Sequence, residues 1–138
     1  MRLTSFTDIG FRALMRLASA PERAFSTAEI ADEFKLSRHH LAKSIAVLAN
    51  AGMVESRRGG GGGVQLGRPA DQIRLGDIVR ILEEGQPLVE CFSSGDGCTI
   101  TPVCCLKHYL GDAEQAFLAA LDQHTLADCT LTPLEAAR

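Results

Sequence analysis

Apolar residues return at helical intervals along the first part of the chain. Phe6, Ile9, Ala13, Leu14, Leu17 and Ala18 predict a helix over residues 6–18. Thr4 and Ser5 offer caps, Asp8 falls in the first turn where an acid suits the helix dipole, and Pro21 closes the segment. A second helix is predicted over 27–34 behind Ser26, whose spacing to Glu29 has the form of a capping box. After Lys35-Leu36-Ser37 a third runs over about 38–50, with Leu41, Ile45 and Leu48 on one face and Ala51-Gly52 as its stop. Two short helices joined by so brief a turn form the helix-turn-helix pattern.

The period then changes. Residues 53–56 predict a strand, 57–63 a turn and 64–66 the returning strand. Five consecutive glycines, Gly59 to Gly63, cannot lie inside a helix or strand and so make a hairpin loop, a wing behind the third helix. A short helix follows over 77–84, capped near Gly76. Residues 85–103 show no period and hold Gly85, Pro87, Gly95, Gly97 and Pro102, which predicts a shaped loop. The last helix is predicted from near Cys104 to about Leu126. Its Leu106, Leu110, Ala113, Phe117, Ala120 and His124 alternate steps of four and three, a coiled-coil-like seam. One small domain has no spare core for that stripe, which assigns it to a second subunit; the alternative is packing on its own domain.

With 138 residues, 46% hydrophobic and 22% charged, the chain is read as a folded protein with one core and a dimerising appendage. No apolar run reaches membrane-spanning length and residues 1–4 begin no secretory segment, so a cytoplasmic protein with no membrane partner is expected. The net charge of −3 hides an uneven distribution: between Lys35 and Arg68 six Lys/Arg face the single acid Glu55, leaving that stretch +5 and the remainder −8. A local basic patch is what phosphate contact needs. In a helix-turn-helix the start of the second helix faces base edges while the wing touches the backbone. Ser37, Arg38, His39, His40 and Lys43 occupy the first position, and Arg57 and Arg58 the root of the wing. They are the candidate contacts to double-stranded DNA.

Five cysteines, an odd number, argue against a fully paired disulfide framework. Cys91, Cys98, Cys104 and Cys105 fall within fifteen residues, while Cys129 stands apart and is read as incidental. The spacing Cys91-x6-Cys98-x5-Cys104 lacks the close pairs of structural zinc sites. An iron–sulfur cluster is larger and accepts wider spacing, so it is the favoured reading; a thiol switch and scattered buried cysteines remain open.

Several stretches together resemble one family: MRLTSFTDIG at residues 1–10, the helix-turn-helix, IRLGDIV at 73–79, CTITPVCCLKHYL at 98–110, Ala116-Phe117-Leu118 and Thr125-Leu126-Ala127-Asp128. They are similar to the nitric-oxide-sensing NsrR branch of the Rrf2 winged-helix regulators, from Met1 to about Asp128. The resemblance implies a non-enzymatic transcriptional repressor, a homodimer on palindromic promoter DNA with nitric oxide as signal. It implies Cys91, Cys98 and Cys104 as thiolate ligands of a cluster, 4Fe-4S preferred and 2Fe-2S possible, with Asp8 of the other subunit as the oxygen ligand. Read alone, Asp8 is a helix-start acid. A hard carboxylate among soft thiolates is the labile ligand, so the signal is expected to release Asp8 and reorient the two recognition helices. Arg12, one turn on, is placed to steady that carboxylate or to remain an ordinary surface arginine. Cys105 stands where the family usually has Arg, and the all-glycine wing tip lacks a customary Arg.

Two rivals stand beside this reading. Regulators of cluster biogenesis of the IscR type use a histidine just after the third cysteine, a spacing that Cys105 and His108 imitate. A cluster-dependent redox or electron-transfer protein is the rival from another class, but the chain has no Gly-rich strand-to-helix turn and such a protein needs no basic wing. The expected architecture is therefore mainly α: a winged helix-turn-helix domain over 1–84, a cluster-binding loop over 85–104, a long dimerisation helix over 105–127 and a tail over 128–138.

Overall fold

The computed structural model describes residues 2–59, 62–95 and 97–131; the wing tip at Gly60 and Gly61, and 132–138 of the expected tail, lie outside them. Five helices and one hairpin follow in the order α1 (Ser5–Ser19), α2 (Thr27–Phe34), α3 (Arg38–Asn50), β1 (Val54–Arg57), β2 (Gly63–Leu66), α4 (Leu75–Leu82) and α5 (Cys105–Asp122). The architecture is the mainly helical winged helix that the apolar pattern predicts.

Helix α1 is the centre of the core. Thr4 caps it, its hydroxyl accepting from the Thr7 N–H at 3.3 Å. Its Ala13, Leu14 and Leu17 are fully or almost fully buried against Phe25, Ile30, Leu41 and Leu48 from the elements around it. Helix α3 is tied to it by a further polar contact: the buried Ser44 hydroxyl donates to the Phe6 carbonyl at 3.1 Å.

The two strands pair antiparallel, Val54 opposite Leu66 and Arg57 opposite Gly63. Each differs by one residue from its expected bounds. Met53 is fully buried and precedes β1, while Gly63 joins β2. Gly63 passes so close to the segment before α2 that an added Cβ would lie 2.3 Å from the Phe25 carbonyl oxygen. Only glycine permits that approach, which lets Phe25 and Val64 exchange hydrogen bonds of 2.9 and 2.7 Å and fixes the wing's base to the body.

Helix α1 is one residue longer at each end than expected and α4 ends at Leu82, not at residue 84; two further boundaries differ for tertiary reasons. Helix α4 begins at Leu75, not Asp77, so Gly76 is a buried helix residue and not a cap. An added Cβ there would sit 1.9 Å from Asp122 Oδ1, so glycine makes room for the end of α5. Helix α5 stops at Asp122 instead of continuing to Leu126. The chain turns back instead: Leu75 N–H donates to the His124 carbonyl at 3.0 Å and Leu126 N–H to the Ile73 carbonyl at 2.8 Å. Leu126 thereby enters the core, fully buried, at the head of a 3-10 turn whose Thr125 and Asp128 form a capping box.

Leu126→Ala is expected to destabilise the fold by about 2–5 kcal/mol, the usual cost of emptying a fully buried leucine site. Urea denaturation of the two proteins checks it; a change within experimental error would mean that Leu126 does not belong to the core.

Candidate nucleic-acid interface and cysteine loop

The turn between α2 and α3 is set by local chemistry. The Ser26 hydroxyl accepts from Glu29 N–H at 3.0 Å, starting α2. Lys35 ends it in the left-handed region (φ 55°), the single non-glycine residue with positive φ among the described residues, and Leu36 N–H then reaches the Ala31 carbonyl at 2.8 Å. Ser37 caps α3, accepting from His40 N–H at 3.4 Å. This oxygen, expected to face DNA, serves the helix, although Ser37 stays exposed.

Leu41, Ser44, Ile45 and Leu48 turn the inner face of α3 into the core. Arg38, His39, His40, Ala42 and Lys43 are left on the outside. The imidazoles of His39 and His40 lie 5.8 Å apart, tilted by 51°. Arg57 and Arg58 are also exposed, at the end of β1 and just beyond it. Asp32, which no motif or spacing marks in the sequence, belongs here too: its carboxylate meets Arg38.

The second candidate region lies between α4 and α5. Cys91 is half-buried in a 3-10 turn, Glu90–Phe92, and Cys98 is exposed. A second turn, Thr101–Val103, leads to Cys104, half-buried at the N-cap position of α5, with Cys105 exposed as the first helical residue. None of the loop's residues from 83 to 104 is buried among those described, and its backbone bonds are short-range, such as Cys104 N–H to the Thr101 carbonyl at 3.3 Å. Asp8 is exposed on α1 and bonded to Arg12 at 2.9 Å. Among the described residues no three Cys, His, Asp or Glu side chains are gathered closely enough to hold a metal ion. The single chain therefore carries the candidate donors without drawing them together. Their chemistry nevertheless fits a cluster: thiols suit iron, and within the same loop the Thr101 hydroxyl oxygen is buried with no hydrogen-bond partner. Such an atom calls for an acceptor or donor.

Both regions converge on the start of α1. Glu83, at the end of α4, accepts through Oε1 from the Thr4 N–H and hydroxyl, each at 2.8 Å, and from the Thr7 hydroxyl. Burial raises this carboxyl's pKa, but the bonds from Thr7 and Thr4 outweigh it and hold the group below the ordinary glutamate value. At its other end α4 grips α5: Arg80 donates to both oxygens of Asp122, at 2.8 and 2.7 Å, and holds that carboxyl low. Beyond this grip α5 buries no residue. Of the expected seam, Leu110 and Phe117 are half-buried, Leu106 is 59% exposed, and His124 lies past the helix end. Val103 and Tyr109, 81% and 69% exposed, extend the stripe and were not anticipated, although each lies three residues from Leu106.

Glu83→Gln is expected to lower stability at neutral pH by about 1.5–3 kcal/mol, the range for hydrogen bonds to a charged group. Because the folded-state pKa is depressed, the wild-type advantage is complete above the ordinary glutamate range and vanishes as pH falls through the depressed value. Thermal melts of both proteins from neutral to acid pH check this; curves that stay parallel would refute it.

Residues 3–131 match the protein family described as Rrf2, iron-dependent transcriptional regulator. Among solved structures, the chain is similar to IscR of T. potens at 29% identity and a TM-score of 0.75, covering all of this chain and 89% of that one. It is similar to Staphylococcus aureus CymR at 30% identity and a TM-score of 0.70, covering 90% and 93%. CymR of B. subtilis, titled the global cysteine regulator, matches at 31% identity and a TM-score of 0.69, covering 93% and 95%.

Proposed function

Since the chain belongs to the Rrf2 family of transcriptional regulators, we propose that it is a repressor binding palindromic promoter DNA as a homodimer, under the control of an iron–sulfur cluster that responds to nitric oxide. In this reading Arg38, His39, His40 and Lys43 face the major groove, with Ser37 at its edge, and Arg57 and Arg58 meet the backbone. Cys91, Cys98 and Cys104 hold the cluster, with Asp8 of a second copy as fourth ligand. When bound, the cluster supplies a labile junction between subunits.

The observation that carries this reading is the route from the cysteine loop to α3. The loop leaves α4 at Glu83, Glu83 holds Thr4 and Thr7, and Ser44 hangs α3 on the Phe6 carbonyl one residue before Thr7. A change of ligation at Asp8 acts on the same first turn of α1. Arg12 neutralises Asp8 while the carboxylate is not a ligand. Two half-sites about one helical turn apart demand a fixed orientation of the two recognition helices, so a small tilt of α1 is enough to alter operator affinity. Leu106 and Tyr109, exposed and one turn apart on α5, support the dimer, because large apolar side chains exposed on neighbouring helical positions mark an interaction surface.

A second reading, a regulator of the IscR type, rests on Cys105 and His108. They lie three residues apart on α5 and are both exposed, hence on neighbouring positions of one face. There His108 is the fourth ligand, and Cys105 replaces Cys104.

The two are separated on anaerobic protein supplied with iron and sulfide. Asp8→Ala is expected to retain the cluster's visible absorbance yet lose the effect of nitric oxide on gel shift of promoter DNA, whereas His108→Ala keeps both. The reverse result favours the second reading; wild-type protein that takes up neither iron nor sulfide defeats both. Cys91→Ala is expected to abolish uptake. Leu106→Glu is expected to shift a dimer to monomer in light scattering at micromolar concentration, and an unchanged mass would remove α5 from the interface.

A further inference from the structure

We propose that Asp32 is a specificity-determining residue for DNA, holding the Arg38 guanidinium so that its remaining donors read one guanine in each half-site. The inference rests on the DNA-binding reading and goes beyond it.

The three acids of α2 each meet an arginine. Glu29 pairs with Arg23, Glu33 with Arg16, and Asp32 with Arg38. Asp32 is thus the one turned towards the recognition helix. The left-handed Lys35 folds α2 back against α3, so that residues six apart in sequence meet, Nη2 of Arg38 lying 3.3 Å from both Oδ1 and Oδ2 of Asp32.

Both side chains are widely exposed, 65% for Arg38 and 69% for Asp32, so the pair contributes little to folding. Beside the exposed Arg38, His39, His40 and Lys43, the carboxylate repels phosphate and weakens sequence-independent binding. Its counterpart is orientation. A guanidinium carries five N–H donors; Asp32 accepts from Nη2, and whichever Nη2 hydrogen it takes, the other still makes a two-donor fork with the neighbouring N–H of Nη1 or Nε. An arginine held at the start of the second helix, where base edges come within reach, has the geometry for the O6 and N7 acceptors of guanine. An unheld arginine instead settles on the nearest phosphate. Asp32 thus lowers affinity for DNA in general and sharpens the choice at one base pair.

The test is selection from a pool of random-sequence duplexes with the full-length, anaerobically prepared protein, run in parallel for wild type, Asp32→Ala and Arg38→Ala. Wild type is expected to enrich a two-fold-symmetric motif with a guanine in each half. Asp32→Ala is expected to lose about fivefold or more of the preference at that base pair and at no other, the same position that Arg38→Ala erases. Its affinity for an unrelated duplex should rise, with a steeper dependence on salt. A motif left unchanged by Asp32→Ala while Arg38→Ala loses its guanine overturns the role of Asp32 alone. A wild-type protein that enriches no motif overturns the DNA-binding reading and the inference with it.

Discussion

The start of α1 is held by a single carboxylate. Oε1 of Glu83 gathers the backbone N–H and hydroxyl of Thr4 and the hydroxyl of Thr7, bonds that span some eighty positions of sequence. A neutral side chain would satisfy these donors less well, and no side chain would leave the buried Thr7 hydroxyl without its acceptor. Because α1 is also the helix that α3 hangs from through Ser44, this carboxylate acts with the packing of Ile78 and Leu82 to set how the outward face of the helix-turn-helix sits relative to α4.

The helix-turn-helix was legible in the sequence to the residue. Its bounds are set locally, by Ser26 as a cap, the short turn at Lys35-Leu36-Ser37 and the apolar period of α3, and local signals survive without knowledge of the rest of the chain. Boundaries set from afar were not legible. Gly76 looks like a helix cap in sequence, yet its lack of a side chain serves Asp122, forty-six positions later. The last helix was expected to run to Leu126, but the chain turns back at His124 and the core takes that leucine.

The candidate sites divide in the same way. Residue types and their clustering were readable: the basic positions on α3 and the wing, and the cysteines of the loop. Their mutual placement was not. Ser37 spends its oxygen on a cap, Asp8 is paired with Arg12, and the cysteines of one chain are not gathered around a centre. Asp32, Glu83 and Thr101 escaped attention because nothing in composition or spacing marks a lone acid or threonine. Each acquires meaning only from what the fold sets beside it or, for Thr101, from what it leaves out.

Helix α5 rests along α4 through half-buried Leu110, Phe117 and Leu118 and is bonded most firmly at its C-terminal end. Arg80, the backbone bonds at Leu75 and Leu126, and the burial of Leu126 secure its C-terminal end, while its first turn carries Cys105 and follows directly on Cys104. Were the helix to turn about that end, Asp122 would be its pivot. Eighteen residues make an arm of about 27 Å, so a swing of about 10° carries the thiol-bearing tip about 5 Å, roughly the rise of one helical turn. Small adjustments at the grip are magnified where the sulfurs are, and a bond made at the tip exerts its largest torque on α4.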